Sequence, residues 1–238
     1  MSQASVGPRR PGDTAFRLRG LAMTRLEAFS DIVFGFALTL LVVSLEVPRS
    51  YDELRATLRG FVPFAICFAF LVWVWIEHRR FFRRYGLDDN ATLVINVVLL
   101  FVVLFFVYPL KFLFTAMTGQ ASGLTSASDV AVVFTVYGLG FTAVFATLGL
   151  LYLHGYRMRD ALGLDALELE DTRYQVVDHF AVAAVGLLSC LVANASGPGV
   201  RAWAGWTYFL LGPVKTASGI VFGRRRARAQ RALAAGRG

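Results

Sequence analysis

Arg25, Ser30 and Asp31 are the residues whose types and spacing most suggest a chemical role. All three stand at the start of a long apolar run, residues 25–48. Charged groups inside a membrane are costly, rare and usually functional, and they need partners there. Their position therefore raises the question of which other side chains satisfy them.

The residues around Arg25 predict where the first helix begins. Thr24 and Glu27 have the spacing of a capping box, with Thr24 as N-cap and Glu27 at N3. A helix that starts at Arg25 is long enough to cross a bilayer, whereas a start at Ser30 or Asp31 leaves about 16 residues, which is short. We therefore favour the earlier start, which places Ser30 and Asp31 one to two turns inside the helix.

An apolar stripe and a polar back face share this first helix. At about 100° per residue, Phe36, Leu40 and Val43 fall on one narrow stripe, and Thr39 flanks it. Asp31 points about 140° away from Phe36 by the same geometry. The pattern predicts that Asp31 faces neighbouring helices and that the stripe faces elsewhere: a pore, lipid or another helix.

Polar side chains on two later apolar segments are candidate partners for the back face. Trp75 and His78 lie three residues apart near the end of the second segment, and Asn96 lies inside the third. These three residues could satisfy Ser30 and Asp31, because all lie at a similar predicted depth. Two simpler readings stay open: Trp75 and His78 as interfacial anchors, and Asn96 as a structural amide.

Composition and hydropathy indicate an all-α integral membrane protein. The chain has 238 residues, of which 56% are hydrophobic and 17% charged. Segments of about 20 apolar residues are long enough to cross the hydrocarbon core. We predict six transmembrane helices, at residues 25–46, 58–77, 91–114, 130–154, 176–193 and 202–222, and a short amphipathic helix in the loop 155–175.

The arginines predict the topology. Most of them would share one side, in the N-terminal arm, after the second and fourth helices, and in the tail. The positive-inside rule then places both termini in the cytoplasm of a multi-pass cell-membrane protein. We predict a disordered basic arm (1–23), a six-helix domain (24–222) and a basic tail (223–238) that could touch anionic lipid headgroups.

Several functional classes find no support in the sequence. Cys67 and Cys190 lie inside apolar runs without metal-ligand spacing, so we read them as small buried hydrophobes. No nucleotide-binding, zinc-protease or hydrolase motif appears, and the TVGYG filter of familiar potassium channels is also missing. We expect no enzyme activity, cofactor or resident metal, and we assign the net charge of +8 to topology rather than to nucleic acid binding.

The polar motif resembles that of a known channel family. Arg25-x3-Phe29-Ser30-Asp31, together with WIEHRR at the end of the second helix, is similar to the lysosomal/endosomal-type potassium channels of the transmembrane protein 175 family. The similarity covers about residues 24–222 and is strongest in the first three helices. A single six-helix unit resembles the prokaryotic, single-repeat branch.

The resemblance implies a potassium-permeable cation channel. Four chains would form a homotetramer around a central pore lined by helix 1, with transient K⁺ as the only metal ion. Bulky apolar side chains would form the constriction, at Phe36, Leu40 and Val43 with Thr39 beside them. The motif would hold helix 1 against its neighbours rather than bind the ion, and its residues are Arg25, Phe29, Ser30, Asp31, Trp75, His78 and Asn96.

The sequence departs from the family pattern at three positions. It carries Phe36 where relatives commonly have isoleucine or leucine, and Glu77 and Arg79 where they often have an amide and a second histidine. A second function also stays open, a proton-coupled or proton-conducting transporter that uses Asp31 and His78 as titrating groups.

Overall fold

The chain forms an all-helical bundle. The computed structural model describes residues 16–43, 49–117, 126–195 and 202–235. A 3₁₀ helix, Ala202–Leu210, precedes the last of the α-helices in these ranges. The α-helices are α1 (Arg25–Val43), α2 (Tyr51–Arg59), α3 (Phe61–Tyr85), α4 (Asn90–Met117), α5 (Ala127–Arg157), α6 (Ala166–Asn194) and α7 (Leu211–Ala235).

Five of these helices, α1 and α3 to α6, are long and apolar enough to cross a membrane. The sixth predicted span, 202–222, does not form as one α-helix. Its first part is the 3₁₀ helix, and α7 begins only at Leu211 with Pro213 in its first turn. Proline is tolerated there because the N–H groups of a first turn have no partner within the helix. The predicted boundary between channel domain and tail also falls inside α7, which continues to Ala235.

The predicted start of the fifth helix, 176–193, is wrong. In the structure α6 begins at Ala166, so the predicted amphipathic loop helix forms its first turns instead. Asp165 caps the helix: its carboxylate accepts from the backbone of Glu168, whose side chain accepts from the backbone of Asp165. This reciprocal pair is a readable signal, since an acidic cap followed three residues later by Glu is typical of a helix start.

The first and second predicted helices differ from the structure at their ends. The capping box at Thr24 and Glu27 is confirmed, with reciprocal bonds of 2.9 and 3.1 Å. Residues 44–46, predicted as the end of that helix, lie outside the described residues. The next membrane helix, α3, runs on to Tyr85, and Gly86 caps it at a φ of 59°. That left-handed conformation favours glycine and ends the helix.

Close helix approach holds the bundle together. A side-chain carbon added at Gly138 on α5 would lie 2.8 Å from the carbonyl oxygen of Gly186 on α6, and the converse distance is 2.9 Å. Both distances are too short for a real contact, so only glycine fits here. Without water, membrane helices associate by such close packing rather than by the hydrophobic effect.

The N-terminal arm is ordered where the structure describes it. We call residues 16–23 the strap, because they lie across the end of α3. The N–H groups of Arg19 and Gly20 both donate to the carbonyl oxygen of Arg83 at 3.2 Å. Phe16 packs edge-on against Tyr85 at 5.5 Å. Residues 16–23, predicted as part of the basic arm, therefore contact the end of α3 in the structure.

Candidate functional site

A buried hydrogen-bond chain joins α1, α4 and α3. His78 Nε2 donates to Asn96 Oδ1 at 2.8 Å, and Asn96 Nδ2 donates to Ser30 Oγ at 2.9 Å. Ser30 in turn donates to the carbonyl oxygen of Leu26 at 2.8 Å. All three side chains are at most 1% exposed. Buried polar groups are costly unless paired, so this chain ties the three helices together in one arrangement.

Asp31 finds its partner on α3. Trp75 Nε1 donates to Asp31 Oδ1 at 2.7 Å, across 44 residues of sequence. The Trp75 ring also lies 5.6 Å below the guanidinium of Arg79. Asp31 itself is exposed within the described chain, whereas Ser30 is buried. Of the two back-face residues, Ser30 therefore packs in the core, and Asp31 lies at the edge of the core.

Helical periodicity explains which residues of α1 are covered. Its buried residues recur every three or four positions and form one face toward α3 and α4: Leu26, Ser30, Phe34, Ala37 and Leu41. Phe34 on this face also lies 5.5 Å from the His78 ring. This spacing is that of a single helical face, so only one side of α1 packs on its own chain.

The predicted constriction residues lie mainly on the opposite side of α1. Phe36 is 56% and Val43 73% exposed, and Leu40 is partly buried. Thr39 is exposed, and its hydroxyl donates to the carbonyl oxygen of Gly35 at 2.9 Å. Within the described chain, an apolar stripe of α1 is thus left uncovered.

Two motif residues stay apart from the polar contacts. Arg25 and Phe29 are both exposed, and in the described ranges neither joins the chain through Ser30, Asn96 and His78. Of the seven residues predicted for the network, three therefore form one chain, Asp31 and Trp75 form a separate pair, and two take part in neither.

Sequence reasoning missed a second polar cluster, between α3, α6 and α7. Glu77 accepts two hydrogen bonds from Arg80, and His179 Nε2 lies 3.8 Å from Glu77. Beside His179, Asp178 accepts from Lys215 at 2.6 Å. Charged residues in apolar segments are the signal for such a cluster, but pairing across about 100 residues cannot be read from local spacing.

A third cluster anchors the strap. Glu168 is fully buried and accepts hydrogen bonds from the backbone and guanidinium of Arg17 and from the guanidinium of Arg19. Buried carboxylates are tolerated when they are paired in this way. Together with the bonds to Arg83, this cluster fastens the segment that leads into α1.

Metal-binding chemistry finds no support among the described residues. They contain no group of three or more His, Cys, Asp or Glu side chains that could hold an ion. Cys67 and Cys190 are both buried and unbonded to each other.

Comparison with known proteins gives consistent matches. The model of the endosomal/lysosomal potassium channel TMEM175 family matches residues 25–109. A potassium channel of Marivirga tractuosa is 36% identical over 234 residues, which cover 92% of this chain and 93% of that protein. A potassium channel of Streptomyces collinus is 29% identical over 136 residues, or 55% of this chain and 63% of its own length.

Solved structures agree with the sequence matches. A crystal structure of a variant of the potassium channel MtTMEM175 superposes with a TM-score of 0.76 at 34% identity, over 92% of this chain and 99% of that one. A TMEM175 homologue from Chamaesiphon minutus shares the fold, with a TM-score of 0.56 at 23% identity over 82% of this chain and 96% of its own. On the strength of a relative that is 36% identical over nearly its whole length, this multi-pass membrane protein belongs to the TMEM175 family.

Proposed function

We propose that this chain is the subunit of a potassium-permeable channel in which α1 lines the pore. The relatives that match it are named potassium channels, and one of them covers nearly the full chain. The observation that carries the proposal is the two-sided character of α1. One face packs on α3 and α4, and the other leaves Phe36 and Val43 exposed.

Four copies would enclose the pore. A single chain contributes one α1, which cannot surround an axis by itself. Closed rotational symmetry places the same stripe of each α1 toward the axis, so each exposed position becomes a ring. The uncovered stripe then faces its counterparts rather than lipid.

Phe36 would form the constriction. A ring of bulky apolar side chains resists ions by excluding a continuous water column, without any charged group. Phe36 is larger than Val43 and Leu40, and it is 56% exposed. The Thr39 oxygen, which donates its proton to Gly35, still has lone pairs that could replace part of the hydration shell of K⁺.

The polar contacts of Ser30, Asp31, Trp75, His78 and Asn96 would position α1 rather than bind the ion. Ser30, Asn96 and His78 bond to one another on the packed side of α1, and Asp31 bonds to Trp75. Such bonds hold the lining helix in register, since unpaired polar groups in a membrane are unfavourable.

We further propose that both termini face the cytoplasm, where the basic tail would meet anionic lipid. The tail side of α7 carries Arg224, Arg225, Arg226 and Arg228. An excess of arginine favours the cytoplasmic side, and anionic headgroups attract it.

Ion flux in proteoliposomes tests the function. We expect potassium-dependent uptake of a cationic dye or a K⁺ diffusion potential in vesicles without a proton gradient, and valinomycin added to empty vesicles sets the maximal response. Native mass spectrometry of the same preparation should show a tetramer. Potassium movement that occurs only when a proton gradient is imposed would favour the transporter instead.

A further inference from the structure

A cavity lined by arginines lies beside the strap at the end of α3. Its volume is about 260 Å³. Four arginines line it over one and a half turns of α3, and two apolar side chains complete the wall: Arg79, Arg80, Arg83, Arg84, Ile76 and Leu18. This cavity is separate from the exposed stripe of α1 and from the buried chain through Asn96.

Within the described ranges, ion pairing offsets one of these four arginines. Arg80 pairs with Glu77 at 2.6 Å. Within the described ranges, Arg79, Arg83 and Arg84 form no ion pair with a carboxylate. Three positive charges therefore remain close together, and like charges repel unless an anion joins them.

Two of the arginines, Arg79 and Arg84, are oriented by aromatic rings rather than by hydrogen bonds. The Arg84 guanidinium lies 4.9 Å from the ring centroid of Phe16, and Arg79 lies over Trp75. Contacts with aromatic faces orient a guanidinium and leave its N–H groups free. Arg84 Nη1 is buried and has no hydrogen-bond partner in the part of the chain that the structure describes. Positioned but unused donors are typical of a site for a phosphate group.

A simpler role explains only part of the cluster. Basic residues in the last turn of a helix stabilise its negative end, which accounts for Arg83 and Arg84. Arg79 and Arg80 lie a turn earlier, where this effect has faded. The apolar wall is not explained either, because Ile76 is 41% and Leu18 39% exposed beside the arginines.

We propose that this cavity binds the phosphate headgroup of an anionic phospholipid. The arginines would take the phosphodiester oxygens, and Ile76 and Leu18 would contact the glycerol and the first acyl carbons. Basic pockets at the ends of membrane helices bind anionic headgroups in this manner. Trp75, a residue type that favours the membrane interface, lies one turn before the arginines and places them at headgroup depth.

Lipid titration of the purified full chain tests the site. Native mass spectrometry would follow binding of phosphatidylglycerol and phosphatidylcholine to wild type and to Arg79→Gln/Arg83→Gln/Arg84→Gln. The control, Arg49→Gln/Arg55→Gln/Arg59→Gln, removes as many charges from the region of α2. The tail arginines remain in all three proteins, so their contribution cancels.

We expect wild type and control to prefer phosphatidylglycerol and the cavity variant to lose that preference. The loss should be about fivefold for each arginine and about 100-fold for all three, from roughly 1 kcal/mol per basic residue. Equal losses in both variants, or none in either, would overturn the proposal. Inorganic phosphate that binds wild type but not the cavity variant, with equal phosphatidylglycerol binding by both proteins, would also overturn it, since the cavity would then be a free-anion site. If the triple variant fails to fold, Arg79→Gln alone decides: its side chain is exposed, and unchanged binding would contradict the assignment.

Discussion

Trp75 on α3 donates a hydrogen bond to the Asp31 carboxylate on α1 at 2.7 Å, and the same indole lies under Arg79. Because α1 is covered on one face only, this bond at the edge of the covered face helps to set its rotation. The relationship joins the helix that we propose lines the pore to the helix that carries the arginine cavity.

Removal of this bond should loosen α1. Trp75→Phe keeps most of the ring but loses the indole N–H, and bonds to charged groups contribute about 1.5–3 kcal/mol. We expect a lower thermal midpoint in detergent and less tetramer. Trp206→Phe is the matched control, because it makes the same truncation at an exposed position away from Asp31. If both variants lost stability equally, the bond to Asp31 would not be the cause.

Asn96 is the central member of the buried chain, and its loss should be more damaging. Asn96→Leu leaves His78 Nε2 without its acceptor and breaks the link to Ser30, whose hydroxyl keeps its bond to Leu26. A stranded buried group costs about 1–3 kcal/mol, so we expect a loss of about that size and poor assembly. Asn194→Leu, at an exposed position on α6, should have a smaller effect. Size-exclusion profiles and thermal unfolding measure both, and a well-assembled Asn96→Leu protein would contradict this role.

Phe36 should control conduction. Phe36→Ala should raise single-channel conductance and weaken selectivity, and Phe36→Asn should wet the constriction. Val42→Ala is the control, since Val42 is 50% exposed on another side of α1. Equal currents in wild type, Phe36→Ala and Phe36→Asn, at equal tetramer content, would remove Phe36 from the pore.

The strap should depend on Glu168. Glu168→Gln removes the charge that Arg17 and Arg19 share, and breaking a buried pair costs up to about 3–5 kcal/mol. We expect faster trypsin cleavage at Arg17 and Arg19. The control is Glu170→Gln, which removes the ion pair with the more exposed Arg173. Such exposed pairs contribute only about 0–1 kcal/mol. Equal cleavage rates in the two variants would show that Glu168 does not hold the strap.

Stability should respond to pH through Asp89, which lies in the turn between α3 and α4. Burial alone would raise the pKa of its carboxyl, but hydrogen bonds from Thr92 and His154 outweigh burial and hold the pKa below its usual range. Because this pKa is lower in the folded than in the unfolded state, the ionised carboxyl stabilises the fold at any pH above the unfolded pKa. That stability is lost as the pH falls through the folded pKa.

Asp89→Asn should therefore lower the thermal midpoint at neutral pH. The difference from wild type should shrink below about pH 4 and then vanish. Asp88→Asn, at the neighbouring exposed position, should show little difference at any pH. If the difference in thermal midpoint between Asp89→Asn and wild type persisted in acid, the ionised carboxylate would not be its cause.

The sequence by itself determined the helical membrane class and much of the first helix. Hydropathy locates α1, α4 and α5 to within a few residues, because a crossing needs a fixed length of apolar chain. The capping box at Thr24 is a local signal and was readable. The equivalent signal at Asp165 was also local, yet the acidic residues around it suggested a surface segment instead.

Only the tertiary structure decided which faces of the helices are covered. The helical period gives the angle between Ser30 and Asp31, but not which of the two points into the core. In a membrane, residues that face lipid are as apolar as those in the core, so hydrophobicity does not distinguish them. The bonds from Asn96 to Ser30 and from Arg17 to Glu168 span 66 and 151 residues, and no local pattern reports contacts at that separation.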